Sequence, residues 1–373
     1  MDIGFFKCIF KLLIGIIKLK KKNYHVVGVM SGTSLDGIDL AELKFQISDK
    51  GIWSFEILKS ETLAYSKLWK KNLQEAISYS NKKMVGFNKD YTGYLADVIS
   101  KFIDKHEIEN LDGVCSHGHT IWHQPENGLT LQIGNLPLLA KTIKQKVICD
   151  FRAQDVALGG NGAPLVPIGD RLLFSNYDYC LNLGGFANIS FENKDFNRIA
   201  FDVCPVNIVM NYYAELFGKP YDEDGDIAAS GKLNRVMLQR LNNLKYYTKK
   251  APKSLGLEWV QKNIFPILEA SEISSEDTLH TFVEHVVIQL ANQFRDKASV
   301  LMTGGGVYNR YLINRLKSHS NTKIVIPSSE LIEYKEALIF GLLGVLRLRD
   351  EDNCLSSVTG AEKDHSSGEI FIP

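Results

Sequence analysis

Three glycine-containing turns carry groups that can bind phosphate. The first, Ser31 to Gly37, reads SGTSLDG and offers free backbone N–H groups, hydroxyls and nearby carboxylates, which suit phosphates and a metal ion. The second contains Gly184, Gly185 and Asn188. The third is the run Gly304 to Gly306, which can accommodate a purine or a ribose. Each turn alone is also consistent with an ordinary structural turn, so the nucleotide hypothesis depends on all three facing one cleft.

Residues 150–167 (DFRAQDVALGGNGAPLVP) form the densest polar and glycine-rich segment. Asp150, Arg152 and Asp155 follow a short hydrophobic stretch and therefore lie at a strand end, where an open α/β sheet usually presents its active site. A neighbouring arginine can favour the charged form of one carboxyl group and leave another as a general base. The alternative is an Asp–Arg pair that only fixes the loop.

The segment Ser116 to His123 (SHGHTIWH) contains His117, His119 and His123. Their spacing matches no established metal motif, so a loop that lines a substrate pocket is the favoured interpretation. Trp122 in this segment can stack on a sugar ring or belong to the core.

The elements that must position these groups follow a repeated plan. A β-branched stretch, Tyr24 to Met30, precedes the first turn and an alternating stretch, Ile38 to Phe45, follows it, which predicts a hairpin. Tyr177 to Leu183 and Phe186 to Phe191 enclose the second turn in the same way. We therefore expect two similar lobes that face each other across a cleft.

Helices alternate with the remaining strands, which predicts an α/β protein. Apolar residues at helical spacing predict a packing helix over 277–297, with His280 and His285 on its surface. A strand, Ser299 to Thr303, leads into the third turn, and a helix begins near Asn309. The last predicted helix spans 333–348. Domain boundaries are expected at 1–23 for an extension, 24–170 for the N-terminal lobe and 171–373 for the C-terminal lobe.

Composition excludes several classes of protein. With 373 residues, 45% of them hydrophobic, and 43 basic against 43 acidic residues, the chain is globular and a nucleic-acid partner is not predicted. No G-x-x-x-x-G-K-S/T run occurs, so a mononucleotide P-loop fold is not predicted. Six scattered cysteines without a C-x-x-C pair suit a reducing compartment, the cytoplasm, and favour neither disulfides nor a zinc site.

Residues 1–22 are basic and hydrophobic, with six lysines against one aspartate. Lys7 and Lys11 interrupt the apolar stretch, which is too short for a membrane span. The alternatives are a poorly ordered or untranslated extension and a helix in weak contact with an anionic membrane surface. We expect catalysis not to need it.

Taken together and in order, these segments closely resemble the anhydro-N-acetylmuramic acid kinases. The resemblance runs from about Val26 to Ala361 and is highly specific. Its motifs are Gly28–Asp39 (GVMSGTSLDGID), Ser116–Pro125 (SHGHTIWHQP), Leu131–Asn135 (LQIGN), Asp150–Pro167, Asn182–Ile189 (NLGGFANI), Ala251–Ser254 (APKS), Gly304–Gly306 and Val358–Ala361 (VTGA).

The resemblance implies the two-lobed fold of actin, hexokinase and the heat-shock ATPases, a ribonuclease H-like fold. It also implies a reaction in which ATP and Mg²⁺ are used to hydrolyse the 1,6-anhydro bridge of anhydro-N-acetylmuramic acid and to phosphorylate O6. The products would be N-acetylmuramic acid 6-phosphate and ADP, for cell-wall recycling. A homodimer is expected on the same ground.

Site residues carried over by the resemblance fall into three groups. Asp155 matches the catalytic aspartate that removes a proton from water. The ATP-binding positions are Gly32, Thr33, Ser34, Leu35, Asp36, Gly37, Ile38, Asp39, Gly184, Gly185, Asn188, Gly304, Gly305 and Gly306. The substrate-binding positions are His117, Arg152, Asp202, Asn207 and Glu336. No metal-binding motif is predicted in the protein, and Mg²⁺ would arrive with ATP near Asp36 or Asp39.

This sequence departs from the usual family pattern at three places. His119 and Asn161 stand where glutamine is frequent. In FDVCPVN, residues 201–207, Val203, Cys204 and Val206 replace smaller residues of the usual F-D-T-G-P-G-N. Two other functions stay open at this point: a hexose kinase of the same fold, and an ATP-dependent conformational switch that binds no sugar. Stimulation of ATP consumption by sugar would distinguish the kinases from the switch.

Overall fold

Two mixed β-sheets form the framework of the protein. The computed structural model describes residues 20–32 and 34–373. The strands of this part of the chain are β1 (Asn23–Ser31), β2 (Gly37–Ile47), β3 (Trp53–Ala64), β4 (Gly113–Gln124), β5 (Leu129–Ile133), β6 (Val147–Cys149), β7 (Tyr179–Leu183), β8 (Phe186–Glu192), β9 (Arg198–Pro205), β10 (Ser299–Thr303), β11 (Lys323–Val325) and β12 (Glu369–Phe371).

Helices surround both sheets. They are α1 (Lys67–Ala76), α2 (Asn81–Lys105), α3 (Leu138–Ile143), α4 (Ala153–Ala157), α5 (Pro167–Leu173), α6 (Asn207–Glu215), α7 (Asp226–Ser230), α8 (Arg235–Asn242), α9 (Leu257–Asn263), α10 (Phe265–Glu269), α11 (Ser275–Ala291), α12 (Arg310–His319), α13 (Ser329–Leu348) and α14 (Ser356–Thr359). Short 3₁₀ turns span Pro125–Asn127, Glu223–Gly225, Lys245–Thr248 and Gly305–Tyr308. Within the described residues no helix is both long enough and apolar enough to cross a membrane.

The two sheets share one topology. The first sheet has the order β3-β2-β1-β4-β6-β12, with β5 added to β4, and the second has the order β9-β8-β7-β10-β11. In each, three successive strands form an antiparallel meander, and the next strands run parallel to the first of the three. The predicted hairpins around the first and second turns are both present. This repeat confirms the predicted α/β fold of two actin-like lobes.

The C-terminal segment returns to the first sheet. Helix α13 packs against β1, β2 and β4, and β12 pairs antiparallel with β6. The lobe division between residues 170 and 171 remains a prediction. Helix α13 and strand β12 nevertheless lie against the N-terminal lobe, although the sequence analysis grouped them with 171–373. This arrangement depends on contacts between residues far apart in sequence, which no local pattern reveals.

The second lobe has a large apolar core of its own around α11. Most apolar positions predicted for the 277–297 helix are buried in it, among them Leu279, Phe282 and Val286, but the helix ends earlier, at Ala291. His285 is fully buried and not a surface group, so that prediction was wrong. Its Nδ1 lies 2.6 Å from Oδ1 of Asn242 and its Nε2 2.9 Å from the hydroxyl of Tyr247, which satisfies the ring inside the core.

Candidate active site between the two sheets

A cavity of about 850 Å³ lies between the lobes. Residues from the ends of strands in both sheets line it, together with the loop 161–166 and helix α13. Among the positions predicted from the sequence, the cavity walls include Asp39, Arg152, Gly184, Asn188, Asp202, Gly304 and Glu336. The second and third turns contribute Gly184 and Gly304 to this cleft, whereas next to the first turn only Asp39, in β2, lines it, so the binding roles of residues 32–38 remain predictions.

The first turn joins β1 to β2 at the edge of the cavity. Asp39 is half-buried, and its Oδ1 accepts a hydrogen bond of 2.6 Å from the hydroxyl of Thr62. Burial raises the pKa of Asp39, and the negative charges of Asp36 and Glu333 raise it further. Asp36 and Glu333 therefore lie near enough to act on Asp39 through their charge, and carboxylate oxygens are ligands that Mg²⁺ accepts. Among the described residues these three carboxylates do not form a preassembled set of metal ligands, so Mg²⁺ near Asp36 or Asp39 remains a prediction.

Other members of this turn have different roles. Leu35 adopts a left-handed backbone conformation, with φ of 61°. The side chain of Ile38 is buried in the core of the first lobe, so any nucleotide contact by Ile38 would involve its backbone. Gly32, Ser34 and Gly37 lie in or beside the turn, and Thr33 lies outside the described residues.

The second and third turns lie beside each other. Gly304 has φ of 83°, and a Cβ there would lie 2.6 Å from Oδ1 of Asn182, so the backbone of the third turn contacts the second directly. Gly305 is open, whereas Gly306 packs against Leu183. The Nδ2 of Asn207 donates to the carbonyl oxygen of Leu183 at 3.3 Å. The cavity walls do not include Asn207, Gly185, Gly305 or Gly306, whose binding roles remain predictions.

Arg152 is held toward the cavity by His117. The Nε of Arg152 donates to Nε2 of His117 over 2.9 Å, and its Nη1 donates to the carbonyl oxygen of Gly162 over 2.6 Å. Burial, and then the charge of Arg152, hold the pKa of His117 well below its ordinary value. His117 is buried in β4 and does not itself line the cavity, so it supports the arginine, and a direct substrate contact is not seen.

Glu336 carries the opposite charge to Arg152 in the same cavity. The Glu336 side chain is accessible to cavity water, yet the enclosing walls raise its pKa by burial, while Arg152 lowers it. The charge of Glu336 in turn favours the cationic form of Arg152. A polar ligand bound between these two side chains would contact the anion Glu336 on one side and the cation Arg152 on the other.

Asp202 and Lys253 form the wall on the second lobe. Asp202 accepts hydrogen bonds from Nδ2 of Asn188 and, at 2.8 Å, from the backbone N–H of Leu255, and burial raises its pKa. The Nζ of Lys253 lies 4.7 Å from the ring centre of Tyr246. Lys253 belongs to the APKS motif found in the sequence, but it was not among the predicted site residues. A single lysine in a sequence does not indicate whether its side chain will face a binding site.

Asp155 is fully buried and lies behind the cavity wall. Its Oδ2 accepts the N–H of Gly162 at 2.7 Å, and its Oδ1 accepts the hydroxyl of Thr359 at 2.7 Å. Gly160 packs so closely on this carboxylate that a Cβ would lie 2.2 Å from Oδ2. The cavity-lining residues Asn161 and Ala163 belong to the same glycine-rich turn. The structure thus keeps Asp155 one layer behind the residues that contact the cavity.

A buried group of charges at the base of the cavity was missed by the sequence analysis. The Nζ of Lys335 lies 2.8 Å from Oδ1 of Asp170, and Oδ2 of Asp170 accepts from the hydroxyl of Ser190 at 2.5 Å. The Nη2 of Arg198 donates to the same hydroxyl at 2.8 Å. These residues lie on α5, β8, β9 and α13, so they join the two lobes. They are far apart in sequence, and no local pattern identifies them.

The residues that depart from the family pattern are mostly buried. His119 lies in β4 and its Nδ1 is 2.8 Å from the hydroxyl of Ser31, next to the first turn. The segment 116–123 is thus part of a strand, and the loop prediction for it was wrong because its polar side chains find buried partners. Val203, Cys204 and Val206 pack in the core of the second lobe, whereas Asn161 lines the cavity.

Comparison with known proteins identifies the family. The family described as "Anhydro-N-acetylmuramic acid kinase" matches residues 24–373. An anhydro-N-acetylmuramic acid kinase of Sulfurimonas denitrificans is 33% identical over 369 residues, covering 92% of this chain and 98% of its own length. Those of Mannheimia succiniciproducens and Haemophilus influenzae are 33% and 31% identical, covering 94% and 95% of this chain and 99% of their own lengths. The chain therefore belongs to the anhydro-N-acetylmuramic acid kinase family of phosphotransferases.

Proposed function

We propose that this protein uses Mg-ATP to convert anhydro-N-acetylmuramic acid and water into N-acetylmuramic acid 6-phosphate and ADP. The observation that carries the proposal is the cavity between the lobes, in which Asp39 and the glycine turns meet Arg152 and Glu336. One side offers backbone groups and carboxylates suited to Mg-ATP, and the other offers a cation, Arg152, and an anion, Glu336, suited to a polar sugar. Membership of the family supports this substrate.

The glycine turns would hold the phosphates, because backbone N–H groups approach them closely where no Cβ intervenes. Asp36, Asp39 and Glu333 would hold Mg²⁺ with the nucleotide, and the ion offsets charge on the phosphates during transfer. Arg152 and Glu336 would orient the sugar, with His117 fixing the arginine. Asp202 and Lys253 would face the sugar or the phosphates from the second lobe.

Asp155 would act as the general base. In this step, an oxygen lone pair of water forms the bond to C1, the bond between C1 and O6 breaks, and Asp155 takes the proton of the water. The freed O6 then attacks the γ-phosphorus, and ADP leaves. Because Asp155 lies behind the turn Gly160–Gly162, we propose that movement of this turn gives water access to Oδ2.

The test is mass spectrometry of the product formed from Mg-ATP and anhydro-N-acetylmuramic acid in ¹⁸O-labelled water. The expected product gains one phosphoryl group and one labelled oxygen at C1. Phosphorylation of an ordinary hexose without label would instead indicate a hexose kinase. ATP consumption that no sugar stimulates would indicate the nucleotide-dependent switch.

The cellular setting is part of the same proposal. The product retains the muramic acid skeleton, so the reaction would serve the recycling of cell-wall fragments. The cysteines Cys115, Cys149, Cys180, Cys204 and Cys354 are free and buried, which supports a reducing compartment such as the cytoplasm. The predicted homodimer and the predicted membrane contact of residues 1–22 remain predictions, and residues 1–19 lie outside the described part of the chain.

A further inference from the structure

His365 lies directly behind Asp155, on the side opposite the glycine turn. It is 5% exposed and forms an isolated antiparallel bridge with Cys354. Its Nδ1 lies 3.1 Å from the carbonyl oxygen of Lys363. A carbonyl oxygen only accepts hydrogen bonds, so Nδ1 carries a hydrogen and the other ring nitrogen, Nε2, presents a lone pair when the imidazole is neutral.

This lone pair faces the carboxylate of Asp155. The Nε2 of His365 is 3.6 Å from Oδ1 of Asp155, and it is buried without a hydrogen-bond partner among the described residues. Both oxygens of Asp155 already accept hydrogen bonds, from Thr359 and from Gly162. Two acceptors that face each other in a buried site are unfavourable, and one proton between them would satisfy both.

The other groups around the pair do not supply that proton. The thiol of Cys354 is near both, and burial raises its pKa, so it remains a neutral thiol. Arg152 lies on the Asp155 side and already donates to His117 and Gly162. In the proposed reaction, the water that Asp155 deprotonates supplies this proton.

We propose that His365 is the positioning residue for the general base Asp155 and accepts the proton that Asp155 removes from water. This inference rests on the function proposed above. When the imidazole is neutral, the carboxylate and Nε2 present opposed lone pairs. The proton of the water is taken up at Oδ2, and rotation of the carboxyl group about the Cβ–Cγ bond turns the new O–H toward Nε2. The O–H then donates to Nε2 and can pass its proton to it, which leaves an imidazolium beside a carboxylate. The imidazolium then loses the proton to bulk water, and the resting pair is restored.

One test uses turnover of the full-length protein. We expect His365→Gln to lower kcat by about tenfold or more, the range of a lost proton-transfer aid, with KM for the sugar unchanged. The glutamine amide can donate to the carboxylate, so the acid limb of the kcat profile moves to lower pH. In an Asp155→Asn background the same change has no further effect, because both residues act as a unit. A loss of kcat that adds fully to that of Asp155→Asn would overturn the proposal.

A matched control uses His285, a buried histidine whose two ring nitrogens both have hydrogen-bond partners. His285→Gln removes an imidazole from the core of the second lobe, where no carboxylate bonds to it. This variant should lower stability and leave the acid limb of kcat in place. If His285→Gln and His365→Gln shifted the acid limb of kcat by the same amount, the shift would reflect a general loss of packing. The proposal would then fail.

A second measurement needs no turnover and separates this inference from the proposed function. The ¹⁵N resonance of Nε2 of His365 is recorded in chelator-treated wild type and in Asp155→Asn. The asparagine amide donates to Nε2, so the resonance should move, whether or not the sugar is the true substrate. An identical resonance in both proteins would overturn the pairing even if the labelled product forms. If the resonance instead changes when the chelator is added, Asp155, Cys354 and His365 bind a metal ion. That result would also overturn the proposed role of His365.

Discussion

The Nε of Arg152 donates to Nε2 of His117 over 2.9 Å, so a buried neutral histidine fixes the main cation of the cavity. The tautomer follows from the other ring nitrogen, since Nδ1 lies 2.9 Å from the carbonyl oxygen of Gly118 and must donate to it. Both nitrogens of His117 are therefore committed. The contacts with His117 and Gly162 use two of the five N–H donors of Arg152, which leaves one N–H of Nη1 and both N–H groups of Nη2 to meet a ligand.

Replacing His117 should impair binding of the sugar. We expect His117→Leu to raise KM for the sugar about tenfold or more, because a hydrogen bond to a charged group contributes ~1.5–3 kcal/mol. Steady-state kinetics on purified protein measure it. The control is His106→Leu, which removes a histidine paired with Glu61 away from the cavity. If His117→Leu lowered only thermal stability and left KM unchanged, its role would be confined to the fold.

The charge of Glu336 should determine how activity falls in acid. Burial raises the pKa of Glu336, so this carboxyl group takes up a proton at a higher pH than an ordinary glutamate and loses the negative charge opposite Arg152. Activity should therefore fall as the pH decreases through this range. We expect Glu336→Gln to remove this acid limb of kcat/KM and to lower its plateau, measured from about pH 5 to about pH 8. The surface control Glu362→Gln should keep the acid limb. If the limb also persists in Glu336→Gln, Glu336 is not the group that causes it.

Asp155 should be needed for the reaction and not for binding. We expect Asp155→Asn to lower kcat by roughly 10²- to 10⁴-fold, the usual contribution of a general base, while calorimetry shows nearly unchanged affinity for the sugar. The isosteric amide keeps the position of the side chain. Asp350→Asn, at an exposed site, is the control. Full turnover by Asp155→Asn would mean that another group removes the proton.

The ion pair of Lys335 with Asp170 should contribute to stability. Removal of Lys335 leaves the buried carboxylate of Asp170 with the more distant Arg198, 3.8 Å away, as its remaining cation, so we expect Lys335→Met to lower the free energy of unfolding by ~3 kcal/mol, the low end for breaking a buried pair. Urea unfolding measures this loss. The control is Arg295→Met, whose partner Asp178 lies at the surface and whose side chain is 70% exposed; a loss of ~0–1 kcal/mol is expected there. Equal losses in the two variants would show that the buried pair has no special role.

Buried His285 should make the protein sensitive to acid. Burial lowers the pKa of His285 to about 3, whereas the unfolded chain has the ordinary value of 6.5. The unfolded state therefore binds a proton first as the pH falls below this ordinary value, and stability decreases by ~1.4 kcal/mol per pH unit down to the folded pKa. We expect His285→Gln to reduce this slope in urea unfolding between about pH 6 and about pH 4.

The matched control for His285 keeps the imidazole but removes one of its partners. Asn242→Ala should lower stability at neutral pH and retain an acid-dependent slope, because the buried ring still titrates on unfolding. If His285→Gln kept the wild-type slope, the acid sensitivity would come from other groups, such as His119, whose pKa burial lowers to about 4.

Local patterns were sufficient for the framework of this protein. The hairpin of β1 and β2 was predictable because β-branched residues, a turn sequence and alternating residues follow each other within one stretch of chain. The repeat of this plan at β7 and β8 predicted the second lobe. The second and third glycine turns lie together because the parallel strands β7 and β10 present their carboxyl ends at one edge.

What could not be predicted depends on partners distant in sequence. His117 and His119 were expected in a loop because a strand rarely carries so many polar residues, and only Arg152 and Ser31 explain their burial. Asp155 and Thr359 are 204 residues apart, and Lys335 on α13 meets Asp170 on α5, which lies much earlier in the chain. Such contacts follow from the tertiary fold, since neither composition nor periodicity encodes them.

The return of the C-terminal segment to the first sheet has a consequence for biosynthesis. During translation, a nascent chain that has emerged only as far as the third turn, Gly304–Gly306, carries all three glycine turns but lacks α13, Thr359 and His365. It therefore has neither Glu336 nor Thr359, whose hydroxyl donates to the carboxylate of Asp155. A product truncated after the third turn would hold the glycine turns without the complete set of residues around the cavity, and we expect it to lack the activity proposed here.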